Sequence, residues 1–282
     1  MTGPTADRAA FAKLLGALGP YLDDLVFAGG WAHRLLGLHD LAGRVDFEPL
    51  ATDDADLATP LKLPVRGEAS LAKRLKDAGF TEELRGDDSP PITEYRLGDE
   101  DGGLYVEFIA PLTGGSTTRA GKPRDTAEVA GTTAQTLRHV DLLFKETWTV
   151  RLTEAGGFPV GEKTLTVRVP NAASFVAQKL LVIERRHRSK RAKDILYIHD
   201  TLLMFSSNFE ALASTWRRVA EVLHKNVLRD LTALAGKRFG QVDDLVREAA
   251  QIAAASGRQS PPSPEQLAAA CRSGLQQVLG RK

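Results

Sequence analysis

The sequence has very little cysteine, no long apolar run and almost no net charge. Cys271 is the one cysteine among 282 residues, which excludes an intrachain disulfide framework and a cysteine-based metal site. No apolar run approaches the roughly 18 residues that a membrane-spanning helix needs, and the residues that follow Met1 lack the apolar core of a signal peptide. We therefore expect a cytoplasmic protein without a membrane partner. The net charge of +1 neither supports nor excludes nucleic acid binding.

The histidines also lack the patterns of familiar reactive sites. His33 and His39 have no His or Cys partner at the spacing of a metal site. His187 and His199 are typical of surface or helix-packing residues, and no Ser-His-Asp arrangement is indicated. The candidate chemistry therefore has to come from carboxylates, glycines and basic side chains.

Hydrophobic residues make up 43% of the chain, which is enough to bury a substantial core. Their spacing predicts helices over 9–22, 31–38 and 68–78, and strands over 25–28, 53–59, 92–97, 104–109, 147–152 and 165–169. The strands 92–97 and 104–109 are separated by a turn-rich segment and predict a hairpin. From residue 172 onwards the pattern is helical, with a break at 260–264. This predicts an α+β fold, with a mixed sheet and flanking helices in residues 1–170 and a helical domain in residues 171–282.

A polar stretch over 112–134 interrupts the predicted strands. It is rich in Gly and Thr, contains Arg119, Lys122 and Arg124, and is too long for an ordinary connection. Two interpretations stay open: a flexible surface loop, or a mobile flap that closes on a substrate.

Three acidic residues form the first candidate site. Asp54 and Asp56 lie two residues apart in a predicted strand, so their side chains project from the same face. Two carboxylates side by side repel each other, a cost that a bound divalent cation removes. Glu107 lies between Val106 and Phe108 in a later strand and would complete a site for magnesium. This pattern favours phosphoryl or nucleotidyl transfer.

A glycine pair lies upstream of these acids. Gly29 and Gly30 stand between a short apolar strand and a predicted helix. This order directs backbone N–H groups of the helix N-terminus towards an anion. The glycine pair and the Asp-x-Asp pair are each weak evidence alone, but their order along the chain is considerably stronger evidence for this chemistry.

Basic residues near the start of the helical half form the second candidate region. Lys179 shares a helix face with Phe175 and Ile183, so it is either a lysine at the edge of the core or one that meets a triphosphate. The basic run over 185–193 is either a solvated helix end or a contact for phosphates. Asp194 and Asp200 follow it, and each would either orient a basic residue of the site or lie on the surface.

Together these residues resemble the nucleotidyltransferase superfamily related to DNA polymerase β. The signature of that superfamily is a strand, a Gly-Gly pair that opens a helix, Asp-x-Asp on the next strand and a third acid on a later strand. The segments around Lys179 and around Lys193-Asp194 are similar to helices of AbiEii- and MenT-like nucleotidyltransferases, which include toxins of toxin–antitoxin systems. The resemblance extends over residues 23–205, with a predicted insertion at 43–50.

The resemblance implies that a nucleoside monophosphate is transferred from an NTP and that pyrophosphate is released. Asp54, Asp56 and Glu107 would hold two Mg²⁺ ions, or Mn²⁺ in their place, and Lys179 would neutralise the leaving pyrophosphate. The complete set implied for nucleotide binding is Gly29, Gly30, Thr52, Lys179, Asp194 and Asp200.

The acceptor is not specified by these residues. The basic run favours an RNA, for instance a tRNA end, or a protein hydroxyl, and a small molecule such as an antibiotic is a weaker fit. A non-catalytic protein that binds a nucleotide or a partner is the alternative from another class. A helical interaction protein that docks a cognate antitoxin is a third interpretation, and it is compatible with catalysis.

Overall fold

The computed structural model describes residues 4–50, 52–86, 91–98, 103–115, 117, 121, 124–160 and 164–280. The chain forms two compact units. The first contains residues 1–32 and 51–169, and the second contains residues 33–50 and 170–282. The predicted division at residue 170 thus coincides with one place where the chain passes between units, whereas residues 33–50 belong with the helical half. The domain assignment itself stays a prediction.

The first unit is built on a mixed sheet. Its strands are β1 (Val26–Phe27), β2 (Asp54–Ala58), β3 (Thr81–Arg85), β4 (Ile92–Leu97), β5 (Leu104–Pro111), β6 (Thr126–Val129) and β7 (Thr132–Leu137). The order along the main path is β1-β2-β5-β4-β3, and β7 pairs in parallel with the end of β5. β2 and β5 are parallel, whereas β4 and β5 form the predicted antiparallel hairpin. Residues 99–102 of its turn lie outside the described residues.

Helices pack against this sheet. The helix α1 (Pro4–Leu18) places Phe11, Leu14, Leu15 and Leu18 in the core, as their spacing predicts. The helix α3 (Leu71–Asp77) begins at the Ser70 cap, whose side chain accepts a hydrogen bond from Lys73 N. The helix α2 (Gly29–Leu36) follows β1 directly. α1 contacts β5 and α3 contacts β3, so both helices belong to the core of the first unit.

The prediction for 112–134 is wrong over its second half. Residues 126–129 and 132–137 are the antiparallel strands β6 and β7, so this part is neither a loop nor a flap. Their Thr-rich sequence gives no apolar alternation to reveal them, although Ala134 on β7 is fully buried. Arg119 and Lys122 lie outside the described residues. A separate antiparallel pair, β8 (Trp148–Leu152) and β9 (Leu165–Val169), ends the unit close to its predicted bounds.

The second unit is helical after residue 170. Its helices are α4 (Ala172–Val182), α5 (Arg188–Met204), α6 (Phe209–Glu221), α7 (Lys225–Phe239), α8 (Asp244–Ala255) and α9 (Pro264–Leu279). Asn171 caps α4 by accepting a hydrogen bond from Ser174 N at 2.8 Å. Residues 172–181 are buried on every side, which makes α4 the central helix of the unit.

The architecture confirms the predicted fold class: an α+β protein with a mixed sheet, flanking helices and a helical C-terminal region. The lengths and composition of the helices bear on the expectation that the chain has no membrane-spanning segment. In the part of the chain that the structure describes, none is both long enough and apolar enough to cross a bilayer.

Candidate functional site

The strand register brings the predicted acids together. β2 runs parallel to β5 with Asp56 and Glu107 as direct Cα partners, and Asp54 is the Cα partner of Tyr105. Partners in register project from the same face of a sheet. The intervening Ala55 and Val106 are fully buried, whereas the three acids are only partly buried. The sheet thus presents Asp54, Asp56 and Glu107 on its polar face.

Thr52 lies next to these acids, just before β2. Its hydroxyl donates a hydrogen bond to the Oδ1 atom of Asp54. This bond satisfies one carboxylate oxygen and limits the rotation of the Asp54 side chain. Thr52 therefore orients the first acid of the pair.

The glycine pair packs directly against the acidic strand. Gly29 has a φ of +57°, which disfavours side-chain-bearing residues. A Cβ atom at Gly29 would overlap the Asp56 carboxylate, and one at Gly30 would come within 2.6 Å of Thr52 Cγ2. A backbone hydrogen bond also holds this turn against β2, because Ala28 N donates to Asp56 O at 2.8 Å. Both glycines are thus needed for the helix start to lie against β2.

The donor set fits a hard divalent cation, since carboxylate oxygens are the ligands that Mg²⁺ and Mn²⁺ prefer. The strands place Asp56 and Glu107 side by side. Across the described residues, however, no group of three or more His, Cys, Asp or Glu side chains is arranged to hold a metal ion. A metal site at Asp54, Asp56 and Glu107 therefore stays a prediction.

Further charges on the same face were missed by the sequence reasoning. Glu94 on β4 is the Cα partner of Glu107, and Glu83 on β3 is the partner of Glu94. Arg85 Nε lies 2.8 Å from Glu94 Oε2, and Arg96 Nη2 lies 3.0 Å from Glu83 Oε2. These pairs depend on antiparallel register, and no spacing along the chain reveals it.

Lys179 and Asp194 meet inside the second unit. Lys179 Nζ lies 2.9 Å from Asp194 Oδ1, and both side chains are almost fully buried. The ammonium also lies 5.6 Å from the ring centre of Phe175 and 5.0 Å from that of Tyr197. Arg186 Nε is 3.3 Å from the other Asp194 oxygen. The lysine is thus a core residue with an anionic partner, and its predicted role towards a nucleotide stays a prediction.

Asp200 is engaged by a different cation. Arg258 Nη1 and Nη2 donate to its two oxygens at 2.7 and 2.6 Å, and His199 Nδ1 lies at 2.9 Å. Burial alone would raise the pKa of Asp200, but hydrogen bonds to Arg258 and His199 outweigh it and lower the pKa. Both carboxylate oxygens are occupied, which gives Asp200 a structural role within this unit. Its nucleotide contact stays a prediction.

His33 is the least expected buried polar residue. It is completely buried in the second unit, with its ring 4.9 Å from the ring of Tyr197. Neither ring nitrogen has a hydrogen-bond partner among the described residues. Burial lowers its pKa from 6.5 to about 4, with Lys179 and Arg258 adding to the effect and Asp200 opposing it. His33 is therefore neutral at physiological pH.

The basic run divides into internal and exposed members. Arg191 Nε donates to Arg186 O and its Nη2 donates to Glu184 O, so this guanidinium closes the turn before α5. The side chains that remain exposed are Arg185, Arg188, Lys190 and Lys193. The structure thus supports a solvated helix end for part of the run and leaves four cations facing solvent.

Comparison with known proteins adds one finding to this geometry. Residues 6–221 match a family model described as nucleotidyltransferase. The matched region contains the glycine pair, all three acids and the helices α4 to α6. No curated protein matches this chain.

Proposed function

The chain belongs to the nucleotidyltransferase family, and from this premise we propose that it is a metal-dependent enzyme whose acids are Asp54, Asp56 and Glu107. The family supports transfer of a nucleoside monophosphate in general; the metal, the acceptor and the residues are our proposal. The observation that carries it is the parallel register of Asp56 with Glu107, on the face against which Gly29 packs.

We assign the acids to metal binding and the glycine pair to phosphate binding. Asp54, held by Thr52, and Asp56 would bind the cations together with Glu107. A bound divalent cation supplies charge neutralisation for the triphosphate and lowers the pKa of the acceptor hydroxyl. Gly29 and Gly30, at the start of α2, let the phosphates approach backbone N–H groups closely, because no side chain intervenes.

We propose an RNA hydroxyl as the acceptor. Arg185, Arg188, Lys190 and Lys193 are exposed cations that suit a phosphate backbone. A protein hydroxyl is the second candidate from the sequence. The role as a toxin, the AbiEii- or MenT-like subtype and a cognate antitoxin stay predictions that rest on the resemblance.

The direct test is transfer of a label from each α-³²P-labelled NTP in the presence of Mg²⁺ and total RNA. We expect labelled RNA from the wild type and none from Asp54→Asn or Asp56→Asn. Asp53→Asn is the matched control, because Asp53 is an exposed acid in the same segment that lies outside the proposed site. Label on the protein would replace the RNA acceptor by a protein hydroxyl, and unchanged transfer in both Asn variants would refute the assignment of the acids.

Lys179 needs a test that separates structure from catalysis. Removing one partner of a buried ion pair typically costs about 3–5 kcal/mol of folding free energy, so we expect Lys179→Met to unfold at a clearly lower denaturant concentration than the wild type. Lys237→Met is the control, since this lysine on α7 is exposed and lies outside the proposed site. A folded Lys179→Met protein that transfers label normally would contradict a role in nucleotide binding.

A further inference from the structure

A wide cavity lies between three helices of the second unit. The helices α6, α7 and α9 surround a space of about 750 Å³, and small-molecule sites in proteins occupy roughly 300–1,000 Å³. Packed interiors rarely leave voids larger than a water molecule, whose share of liquid volume is about 30 Å³. A cavity of this size calls for an explanation, because larger side chains would fill it.

Small residues keep this cavity open. Ala220 of α6 and Ala235 and Gly236 of α7 all line it. A Cβ atom at Gly236 would meet nothing within 4 Å, so no neighbour excludes a larger side chain there. Glycine inside a helix also costs stability relative to alanine. The packing of the helices therefore does not require so small a lining.

Apolar side chains form much of the cavity wall. Trp216, Leu231 and Leu275 line it, one from each helix, and all three are almost fully buried. An apolar chain that enters the cavity leaves water and gains free energy by doing so. The wall therefore suits the apolar part of a ligand.

Two arginines give the cavity a polar opening. Arg217 and Arg272 line it and are exposed, so their stems lie along the cavity while their guanidinium groups reach water. Arg217 lies 3.5 Å from Glu210 in an exposed pair, which contributes little. Arg272 has no ion-pair partner in the part of the chain that the structure describes. Glu221 is the one acid among the described lining residues, so cations outnumber anions there.

We propose that this cavity binds an amphipathic small molecule with an apolar chain and an anionic head group such as a carboxylate. The chain would lie against Trp216 and the leucines, and Arg272 would donate two parallel hydrogen bonds to the carboxylate. A helix of a partner protein fits less well, because a helix about 10 Å across fills this volume in roughly two turns. The inference is independent of the proposed function, since most of the lining lies beyond residue 221, where the family match ends.

The test is isothermal titration of the full-length protein with decanoate. We expect saturable binding at one site, and at least about tenfold weaker binding of decyltrimethylammonium, which has the same chain and a cationic head. Arg272→Gln should weaken decanoate binding about tenfold, because it removes hydrogen bonds to a charged group. Arg229→Gln is the matched control, since Arg229 is an exposed arginine of α7 outside the lining. It should change the affinity by less than about threefold.

A second pair of variants tests the location of the ligand. Gly236→Leu should weaken decanoate binding by more than about tenfold, because the added side chain occupies the cavity. Gly16→Leu makes the same change in α1, where a Cβ atom also meets nothing within 4 Å, and should bind as the wild type does. A bromine-labelled decanoate should also quench tryptophan fluorescence, and Trp216→Phe should remove that quenching, because Trp31 and Trp148 lie in the first unit.

Several results would overturn the proposal. They are a wild type that does not bind decanoate, equal binding of the cationic compound, and equal losses in Arg272→Gln and Arg229→Gln. Unchanged binding in a folded Gly236→Leu protein would overturn it as well. If Gly236→Leu does not fold, the quenching experiment decides, since quenching that persists in Trp216→Phe would place the ligand elsewhere. None of these results bears on the nucleotidyl transfer assay, so the two proposals can fail separately.

Discussion

At Gly29, the backbone conformation and the neighbouring strand both exclude a side chain. Its φ is +57°, and a Cβ atom there would overlap the carboxylate of Asp56. We expect Gly29→Ala to lose about 1–3 kcal/mol of stability and to lose transfer activity as well, because Asp56 must move. Thermal unfolding and the ³²P transfer assay measure the two effects.

Gly16→Ala is the matched control for that substitution. Gly16 lies within α1, and a Cβ atom at this position meets nothing within 4 Å. Alanine is preferred to glycine in a helix interior by roughly 0.5–1 kcal/mol, so this variant should gain stability and keep its activity. A Gly29→Ala protein that is as active as Gly16→Ala would contradict the close packing of the glycine turn against Asp56.

His33 makes stability depend on pH in a defined direction. Its pKa is about 4 in the folded protein and 6.5 in the unfolded chain, so below pH 6.5 the unfolded chain binds the proton first. Stability is therefore full above pH 6.5 and falls as the pH drops towards 4, by about 2 kcal/mol between pH 8 and pH 5. Urea denaturation of His33→Leu should show a correspondingly smaller loss.

The exposed His187 provides the control for this pH effect. His187→Gln replaces a histidine whose side chain lies in solvent at the start of α5, whereas His33→Leu replaces one in the core. A His33→Leu curve parallel to that of the wild type would show that the buried imidazole is not responsible.

Among the elements, those with clear apolar periodicity were predicted best. β4 and β9 match their predicted bounds, and α4 begins at residue 172, where the helical pattern was predicted to begin. β3, β6 and β7 were missed. Leu84 on β3 is 66% exposed, and the β6–β7 hairpin is largely Thr and Ala, so their pairing rests on backbone hydrogen bonds to neighbouring strands.

The candidate site shows the same contrast between residues with a local sequence pattern and residues whose contacts depend on the pairing of distant segments. Asp54, Asp56 and Gly29 were predicted from short motifs, because each motif lies within one strand or at one turn. Arg85 and Glu94 were missed, since their contact depends on the register of two antiparallel strands. Arg258 was missed for a similar reason: it lies 58 residues from Asp200, its ion-pair partner.

The helices α6, α7 and α9 surround a cavity of about 750 Å³ in the second unit. Gly236 of α7 lines it, and a Cβ atom there meets nothing within 4 Å. We expect Gly236→Ala to gain roughly 0.5–1 kcal/mol from helix propensity. Gly236→Leu should gain roughly 1 kcal/mol more, because its side chain buries apolar surface in the cavity. Chemical denaturation measures both.

Gly274 of α9 is the contrasting position. A Cβ atom there would lie 3.0 Å from Leu202 Cδ1, so Gly274→Ala should destabilise the protein, by about 1–3 kcal/mol if the core cannot adjust.

A Gly236→Leu variant less stable than Gly236→Ala would show that the cavity does not accommodate the added side chain.

At the scale of the whole molecule, the segment beyond the family match is part of the second unit's core. The match ends at residue 221, yet α7, α8 and α9 all follow it. Phe239, Val246 and Val278 are fully buried, and α8 packs against α5. The helical unit therefore depends on residues that the family model does not include.

Arg258 is one polar link between that segment and the matched region. It pairs with both oxygens of Asp200 on α5, and its guanidinium carbon lies 4.2 Å from the ring centre of Phe47. We expect Arg258→Met to lose about 3–5 kcal/mol of unfolding free energy, because the Asp200 carboxylate stays buried without its partner. Guanidinium denaturation measures the loss.

Asp200→Asn in the Arg258→Met background should restore part of that loss, because it removes the uncompensated charge. Arg247→Met is the control, since Arg247 pairs with Asp244 on the exposed side of α8 and such pairs contribute about 1 kcal/mol or less. If Arg258→Met were no less stable than Arg247→Met, the link between α5 and the C-terminal helices would have to rest on apolar packing alone. Recovery in the double variant would instead show that the lost unfolding free energy comes from the unpaired Asp200 carboxylate. It would also show that Arg258 helps to hold the helices beyond residue 221 against α5.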